Sequence, residues 1–176
     1  GRTGLEVSSL CFGTMSFGDI ADEAMSEKMY HRCREEGINF FDCANVYAGG
    51  RSEEILGKLI ASEREEVIIT SKVYFPPSDD INARGANRRN INLEVEKSLQ
   101  RLNTNWIDIY FIHHFDANTP LEITLRALDD LVSQGKVLYP AVSNFAAWQI
   151  MKALGISSQL GLSRFEVIQP MYNLVK

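Results

Sequence analysis

The chain has 176 residues, 45% of them hydrophobic and 23% charged, which suits a folded globular domain rather than a disordered segment. The net charge of -5 indicates that the surface as a whole does not bind nucleic acid. The apolar runs are too short to cross a bilayer. Three cysteines without a CxxC pair argue against a disulfide framework or a zinc site, and they indicate a reducing compartment, so we expect a cytoplasmic protein.

Apolar runs alternate with helical patterns along the whole chain, without a linker, so residues 1–176 are predicted to form a single domain. The predicted strands are residues 8–13, 38–42, 66–72, 106–114, 136–144 and 164–169. The predicted helices are residues 22–37, 52–62, 90–103, 119–135 and 148–157. Such alternation is typical of parallel strands joined by crossover helices. Both an open doubly wound sheet and a (β/α)₈ barrel fit it.

Three of the predicted helices begin with residues that typically cap a helix. Ser52 and Asn90 are predicted N-caps, because their short polar side chains can accept a hydrogen bond from the first turn. Thr119 and Glu122 are predicted to form a capping box, with Pro120 in the first helical turn.

Polar residues follow the ends of five predicted strands. They are Asp42, Lys72, the pair His113 and His114, the pair Ser143 and Asn144, and Gln169. In a barrel the carboxyl ends of all strands converge on the face that carries the active site. In an open sheet, residues from so many successive strands would not meet, and the segment after the first strand lacks GxGxxG spacing. The positions therefore favour the barrel.

Taken singly, each of these residues has a simpler structural explanation. Asp42 can form a turn, Tyr47 is most often a packing residue, and Ser143 with Asn144 can cap the helix that follows. Only their joint occurrence at matching strand ends favours a functional site.

Together, these side chains have the chemistry of a proton-donating site. A free tyrosine has a pKa of about 10, and an ammonium such as that of Lys72 near Tyr47 would lower this pKa. Asp42 would hold the lysine in place. A neutral histidine, either His113 or His114, would orient a substrate carbonyl. The set fits acid-assisted reduction of a carbonyl, with hydride from a bound cofactor because no side chain can supply it.

Several segments resemble the aldo-keto reductase superfamily, and they occur in family order. They are GRTGLEVSSLCFGTMSFG, FFDCANVYAGGRSEEILG, VIITSKV, RLNTNWIDIYFIHHFD, AVSNF and IQPMYNL. The similarity is greatest to the bacterial branch related to potassium-channel β subunits. The resemblance implies a (β/α)₈ TIM barrel, of which about six of eight βα units are present. It also implies an NADPH-dependent oxidoreductase that reduces aldehydes or ketones to alcohols, with NADH as the alternative cofactor.

The resemblance extends to individual residues. Tyr47 resembles the proton donor, and Lys72 and Asp42 resemble the pair that tunes its pKa. His113 resembles the carbonyl-orienting histidine, because the family histidine is the first one after the aliphatic run of the strand. The residues that resemble contacts of the nicotinamide carboxamide are Ser143, Asn144 and Gln169. Those that resemble ribose-side neighbours are Thr14 and Met15.

The chain departs from the family pattern at three points. Cys43 stands where threonine is common, a change expected to be mild. Pro140 and Ala141 replace the usual Ile-Gly, and a proline inside a strand loses a ladder donor, which leaves the local geometry open. The third departure is length: the absent units would carry the aromatic residue that stacks on nicotinamide and the basic residues that select NADPH. A barrel without them has two open edges, so we expect a longer parent chain whose C-terminal part is missing here.

Two other functions are open from the sequence. One is a regulatory or interaction subunit that binds the cofactor with little turnover, as in the channel β subunits. The other is a metal-dependent hydrolase using His113, His114 and Asp116, which is disfavoured because adjacent strand residues point to opposite faces. No metal is expected.

The expected partners follow from the carbonyl-reductase interpretation. They are a small-molecule carbonyl substrate, no nucleic acid and no membrane, for a monomer or small homo-oligomer. Tyr74 and Phe75 begin a long loop after the third strand and are candidates for the wall of the substrate mouth.

Overall fold

The computed structural model describes residues 2–173 and 175, and the elements below belong to that part of the chain. The strands are β1 (Phe12–Gly13), β2 (Phe40–Asp42), β3 (Ile68–Val73), β4 (Ile107–Ile112), β5 (Val137–Ser143) and β6 (Val167–Gln169). The α-helices are α1 (Glu23–Glu35), α2 (Arg51–Leu59), α3 (Arg88–Leu102), α4 (Leu121–Ser133) and α5 (Ala147–Leu160). Short 3₁₀ helices cover Tyr47–Gly50 and Arg64–Glu66. None of the helices described is long and apolar enough to cross a membrane.

Gly1, Leu174 and Lys176 lie outside the described residues. The outer ends of the segments GRTGLEVSSLCFGTMSFG and IQPMYNL therefore lie outside the description as well.

The strands form one parallel sheet in which every strand pairs with the next one along the chain, from β1 to β6. An open doubly wound sheet would reverse its strand order at a switch point, and this sheet has no reversal among its described strands. The sheet curls into a half-barrel with alternating helices, as expected for part of a (β/α)₈ barrel. The predicted barrel architecture is confirmed.

The two faces of the sheet pack differently, because successive strand residues point to opposite sides. One face carries Phe41, Ile69 and Tyr110 in a large apolar cluster with residues of the helices. The other face is the inside of the half-barrel, and its own smaller cluster is built from strand residues such as Ile109 and Phe111. Every second residue of a strand therefore lies on the inner face, up to the carboxyl end of that strand.

The positions of the strand ends agree closely with the sequence prediction. The predicted strands end at residues 13, 42, 72, 114, 144 and 169, and the strands of the structure end at residues 13, 42, 73, 112, 143 and 169. The predicted start of the first strand is wrong, since β1 begins only at Phe12. Before it the chain turns, with the Ser8 hydroxyl donating to the Leu10 carbonyl at 2.7 Å.

The predicted caps of α2 and α3 are also wrong. Ser52 lies inside α2, where its buried hydroxyl donates to the Thr14 carbonyl at 2.7 Å. Asn90 lies in the first turn of α3, and its N–H donates to the side chain of Asn87, which is the actual N-cap. In each helix an earlier residue is the N-cap. The predicted cap bonds elsewhere: Ser52 to a residue distant in sequence, and Asn90 to the actual cap.

Pro140 does not interrupt β5, which pairs with β4 through Tyr110 and Pro140. The Pro140 carbonyl accepts a hydrogen bond from the N–H of Glu166 at 2.9 Å, so this residue faces the β6 side. Since β6 begins only at Val167, the missing proline N–H lies where the ladder has not yet started. The strand is therefore regular despite the departure from the family pattern.

Candidate active site

Lys72 is the centre of the polar cluster at the carboxyl end of the sheet, and it is fully buried. Its ammonium donates to Oδ2 of Asp42 at 2.6 Å and to the carbonyl oxygen of Cys43 at 2.8 Å. A third, longer contact of 3.3 Å leads to the hydroxyl of Tyr47. A buried ammonium requires such partners, so its position is fixed by β2 and by the loop after it.

The carboxylate of Asp42 is occupied on both oxygens. The second oxygen, Oδ1, accepts a hydrogen bond of 2.6 Å from the hydroxyl of Thr70. Thr70 precedes Lys72 by two residues on β3, so both lie on the inner face of the sheet. The carboxylate is thus fixed in orientation by the same strand that carries its lysine.

Tyr47 reaches this cluster from the loop after β2. Burial raises the pKa of Tyr47 above its ordinary value, while the Lys72 ammonium lowers it in part. The lysine thus acts in the expected direction, but the net pKa is raised because desolvation outweighs the ammonium. Tyr47 is a protonated phenol at neutral pH, with a cation beside its oxygen.

His113 and His114 have different surroundings. The His113 ring lies edge-to-face with the rings of Tyr47 and Phe75, at centroid distances of 6.2 and 5.0 Å. Burial and the nearby Lys72 ammonium lower the pKa of His113 to about 4, so the ring is neutral at pH 7. His114 is exposed, and its Nδ1 contacts the carbonyl of Phe115 at 2.9 Å. The structure thus brings His113, and not His114, beside the tyrosine.

The three predicted carboxamide-binding residues also meet. The hydroxyl of Ser143 donates to the carbonyl of Gln169 at 2.9 Å. The Asn144 side-chain amide donates to Ser143 Oγ at 3.0 Å and to the carbonyl of His113 at 2.9 Å. Within the described part of the chain, the Gln169 side chain makes no hydrogen bond. The Asn144 side chain thus links this group to the backbone of His113, the candidate catalytic histidine.

Thr14 and Met15 follow β1 at the same end of the sheet. The Thr14 hydroxyl is buried, donates to the Asp42 carbonyl at 3.0 Å and contacts Ser52 Oγ at 2.9 Å. Met15 presents its side chain to solvent and is 66% exposed. Thr14 therefore joins β1 to the site, while only Met15 offers an open surface.

The loop after β3 forms one wall of the site. Phe75 is half-exposed beside His113, and Tyr74 lies 5.3 Å from His114, centroid to centroid. A cavity of about 320 Å³ opens next to Tyr74, and its lining includes Arg84 and Asp116. The lining of this cavity includes neither Phe75 nor Tyr47, Lys72 and His113, so the cavity lies beside the site, and the place of the two aromatic residues at the substrate mouth stays a prediction.

Asp116 holds the base of that loop. Its carboxylate accepts hydrogen bonds from the N–H of Ala86 at 2.8 Å and from the hydroxyl of Thr119 at 2.7 Å. Thr119 therefore makes no capping box with Glu122, and α4 is preceded directly by Pro120 without a side-chain cap. Among the described residues, no group of three His, Cys, Asp or Glu side chains is arranged to hold a metal ion.

Sequence reasoning missed a second polar cluster behind the site, between the sheet and the helices. Glu53 is fully buried and accepts hydrogen bonds from Ser71 at 2.5 Å and Arg101 at 2.6 Å. Glu94 is 1% exposed and accepts from Asn45 at 2.8 Å. The available signal was an acid within the apolar stripe of each helix, because a charged residue on a core-facing stripe needs a buried partner.

Sequence comparison places this geometry in a family. The sequence profile of the Aldo/keto reductase family matches residues 9–176. The chain belongs to the aldo/keto reductase family. It is similar to a probable voltage-gated potassium channel subunit beta of Arabidopsis thaliana, with 36% identity over 99% of this chain and 54% of that protein.

Two further relatives carry enzyme names. The chain is 38% identical to an uncharacterized oxidoreductase of Bacillus subtilis, over 100% of this chain and 57% of that protein. It is 37% identical to norsolorinic acid reductase of Aspergillus flavus, over 94% of this chain and 47% of that protein. The chain thus spans about half the length of the curated relatives it matches.

Proposed function

We propose that this chain carries the catalytic centre of a nicotinamide-dependent oxidoreductase, which reduces small aldehydes or ketones with Tyr47 as the proton donor. The observation that carries the proposal is the buried Lys72 ammonium, 2.6 Å from Asp42 and 3.3 Å from the Tyr47 hydroxyl. The similarity to proteins named as an oxidoreductase and as a reductase supports the same reaction class.

The proton is transferred from the Tyr47 hydroxyl to the carbonyl oxygen of the substrate. Because the pKa of Tyr47 is raised by burial, the hydroxyl is protonated at neutral pH and available as an acid. Negative charge develops on the phenol oxygen as the proton leaves, and the Lys72 ammonium stabilises it at 3.3 Å. Asp42 holds that ammonium in place, so no reorganisation is required during the reaction.

His113 orients the substrate. A neutral imidazole has one N–H donor, which can bind the same carbonyl oxygen that Tyr47 protonates. Nδ1 of His113 is buried and has no hydrogen-bond partner in the described structure. The Phe75 ring, 5.0 Å from the imidazole centroid, keeps one side of the substrate mouth apolar.

The donor set at the ends of β5 and β6 fits the carboxamide of a nicotinamide cofactor. The Gln169 side chain carries both a donor and an acceptor, and neither is used in a hydrogen bond with the described residues. Ser143 and Asn144 lie beside Gln169, because the Ser143 hydroxyl and the Asn144 backbone N–H both contact the Gln169 carbonyl. Met15 is exposed on the β1 side. When bound there, the cofactor supplies the hydride. We propose NADPH, with NADH as the alternative.

A regulatory role is the second candidate, and the similarity to a probable channel β subunit favours it. A binding subunit needs the cofactor site but not the buried Asp42–Lys72 pair beside a tyrosine, so we rank it second. The expected assembly remains a monomer or small homo-oligomer, and the expected location remains the cytoplasm.

The experiment uses the full-length protein with NADPH and, separately, NADH, against a panel of aliphatic and aromatic aldehydes and ketones. We expect carbonyl-dependent oxidation of the cofactor, measured as loss of absorbance. The cofactor Kd is measured in parallel by fluorescence. Tight cofactor binding without turnover on any carbonyl would contradict the reductase and favour the regulatory role.

A further inference from the structure

The segment that carries Tyr47 has an unusual backbone. Ala48, Gly49 and Gly50 follow the tyrosine with φ values of 50°, 64° and 99°, all in the left-handed region. The two glycines adopt this region freely, whereas an alanine is disfavoured there by its Cβ and is held only when the surroundings determine its conformation. The position of Tyr47 therefore depends on what anchors the two ends of this segment.

Asn45 anchors the first end. Its N–H contacts the carbonyl of Lys72 at 3.3 Å, and its side-chain amide donates to the Glu94 carboxylate at 2.8 Å. Asn45 and Glu94 are 2% and 1% exposed. The other oxygen of Glu94 accepts from Lys97, one turn further along α3, at 2.8 Å. A buried carboxylate on α3 thus holds the backbone two residues before Tyr47.

Gly50 anchors the other end, against Arg101 on α3. A Cβ on Gly50 would lie 2.9 Å from Cδ of Arg101 and 3.1 Å from its Nε, so the glycine backbone packs directly on this side chain. Arg101 is in turn fixed by the buried carboxylate of Glu53, which also binds the hydroxyl of Ser71, the neighbour of Lys72. Both ends are therefore anchored on the same helix, α3.

We propose that Glu94 and Arg101 are positioning residues for Tyr47: through Asn45 and Gly50 they clamp the segment 45–50 and hold the phenol hydroxyl at Lys72. The reaction step in this inference rests on the proposed function, while the placement of the tyrosine can be measured without it. Among the described residues, neither side chain makes a hydrogen bond to Tyr47, Lys72 or His113.

A matched pair of glycine substitutions tests the clamp from the loop side. Both substitutions place a Cβ at a positive φ and strain the backbone, with φ +99° at Gly50 and +64° at Gly49. Only Gly50→Ala also forces a Cβ onto Arg101, whereas nothing lies within 4 Å of the Cβ added at Gly49. We expect kcat of Gly50→Ala to fall roughly 10- to 100-fold, since a misplacement of about 1 Å has this effect. Gly49→Ala should stay within about threefold of wild type, and the cofactor Kd should be unchanged in both. Equal losses of kcat in the two variants would overturn the proposal.

A second set tests it from α3, in the full-length protein. Glu94→Ala removes the acceptor of Asn45 and should lower kcat about tenfold at unchanged cofactor Kd. Glu94→Gln retains an amide oxygen for Asn45 and should restore kcat, and Lys97→Ala, which removes only the partly exposed ion pair, should match wild type. Wild-type kcat in a folded Glu94→Ala variant would overturn the assignment of Glu94.

Crystal structures of the two glycine variants provide a readout independent of turnover. In Gly50→Ala the distance from the Tyr47 hydroxyl to Lys72 Nζ should exceed the 3.3 Å found here, while in Gly49→Ala it should not change. An unmoved tyrosine in Gly50→Ala would overturn the clamp even if the protein is a reductase. A moved tyrosine in a protein without turnover would support the clamp and refute the proposed function alone.

Discussion

Asp42 and Lys72 form a buried ion pair between neighbouring parallel strands, with 2.6 Å between Oδ2 and Nζ. Their side chains are 12% and 1% exposed. Asp42 pairs in register with Thr70 on β3, and Lys72 lies two residues further on, so both charges are on the inner face. Since each charge is removed from water, each depends on the other to offset its desolvation.

Removing one partner of this pair should be more harmful than removing both. Lys72→Met leaves the Asp42 carboxylate buried and uncompensated, which should lower the free energy of unfolding by about 3–5 kcal/mol. The double variant Lys72→Met/Asp42→Asn has no buried charge and should recover part of this loss, a coupling of about 0.5–3 kcal/mol. Urea unfolding of wild type, Lys72→Met, Asp42→Asn and the double variant measures both the loss of stability and the coupling.

Simple additivity of the two single substitutions in this cycle would contradict the account of the pair. All variants that lack Lys72 should lose turnover, whatever their stability, because the phenolate of Tyr47 then has no cation beside it.

The ionisation of His113 should make the fold less stable in acid. Its pKa is about 4 in the folded chain and ordinarily 6.5, so the unfolded chain binds this proton first as the pH falls. The resulting loss of stability is absent above about pH 7, grows as the pH falls from 6.5 towards 4, and is constant below that. Urea midpoints at several pH values, for wild type and His113→Gln, measure it.

We expect the wild-type midpoint to fall more steeply between pH 6.5 and 4 than that of His113→Gln. The other two histidines, His31 and His114, are present in both proteins and cancel in this comparison. Parallel curves for the two proteins would contradict the lowered pKa.

Helix α2 packs closely against the backbone of α3 at Gly57. A Cβ there would lie 2.5 Å from the carbonyl oxygen of Arg101 and 2.7 Å from Cα of Leu102, and backbone cannot rotate away as a side chain can. Gly57→Ala should therefore destabilise the protein by about 1–3 kcal/mol despite the better helix propensity of alanine. Gly155→Ala in α5 is the matched control, because nothing lies within 4 Å of its added Cβ.

The control variant should be more stable than wild type by about 0.5–1 kcal/mol, which is the usual gain for alanine over glycine in a helix. Thermal unfolding of both variants gives the comparison. A Gly57→Ala protein as stable as Gly155→Ala would show that the two helices have room to separate.

The strands and the barrel could be predicted from the sequence because their signal is local. An apolar run that ends in a polar residue marks the carboxyl end of a strand, and these ends agree with the structure within two residues. The alternation of strand faces then brings Asp42, Lys72 and Ser143 to one side of the sheet. His113 follows β4 directly and lies beside Tyr47.

Features that depend on contacts between distant residues could not be predicted in this way. Ser52 resembles a helix cap in sequence, but its hydroxyl binds Thr14, which is 38 residues away. Glu53 and Glu94 lie within the apolar stripes of their helices, which signals a buried partner, but nothing in the sequence says that these partners are Ser71 and Asn45. The lowering effect of Lys72 on the pKa of Tyr47 could be inferred from the sequence, whereas the burial that raises the net pKa is a property of the folded chain.

The most direct test of the central claim compares wild type, Tyr47→Phe and Tyr110→Phe in the full-length protein, with NADPH and a carbonyl that wild type reduces. Tyr110 is a suitable control because its hydroxyl is buried without a hydrogen-bond partner among the described residues. The account predicts that turnover is lost in Tyr47→Phe at unchanged NADPH affinity, and that Tyr110→Phe retains it. Wild-type turnover in Tyr47→Phe would contradict the assignment of Tyr47 as the proton donor.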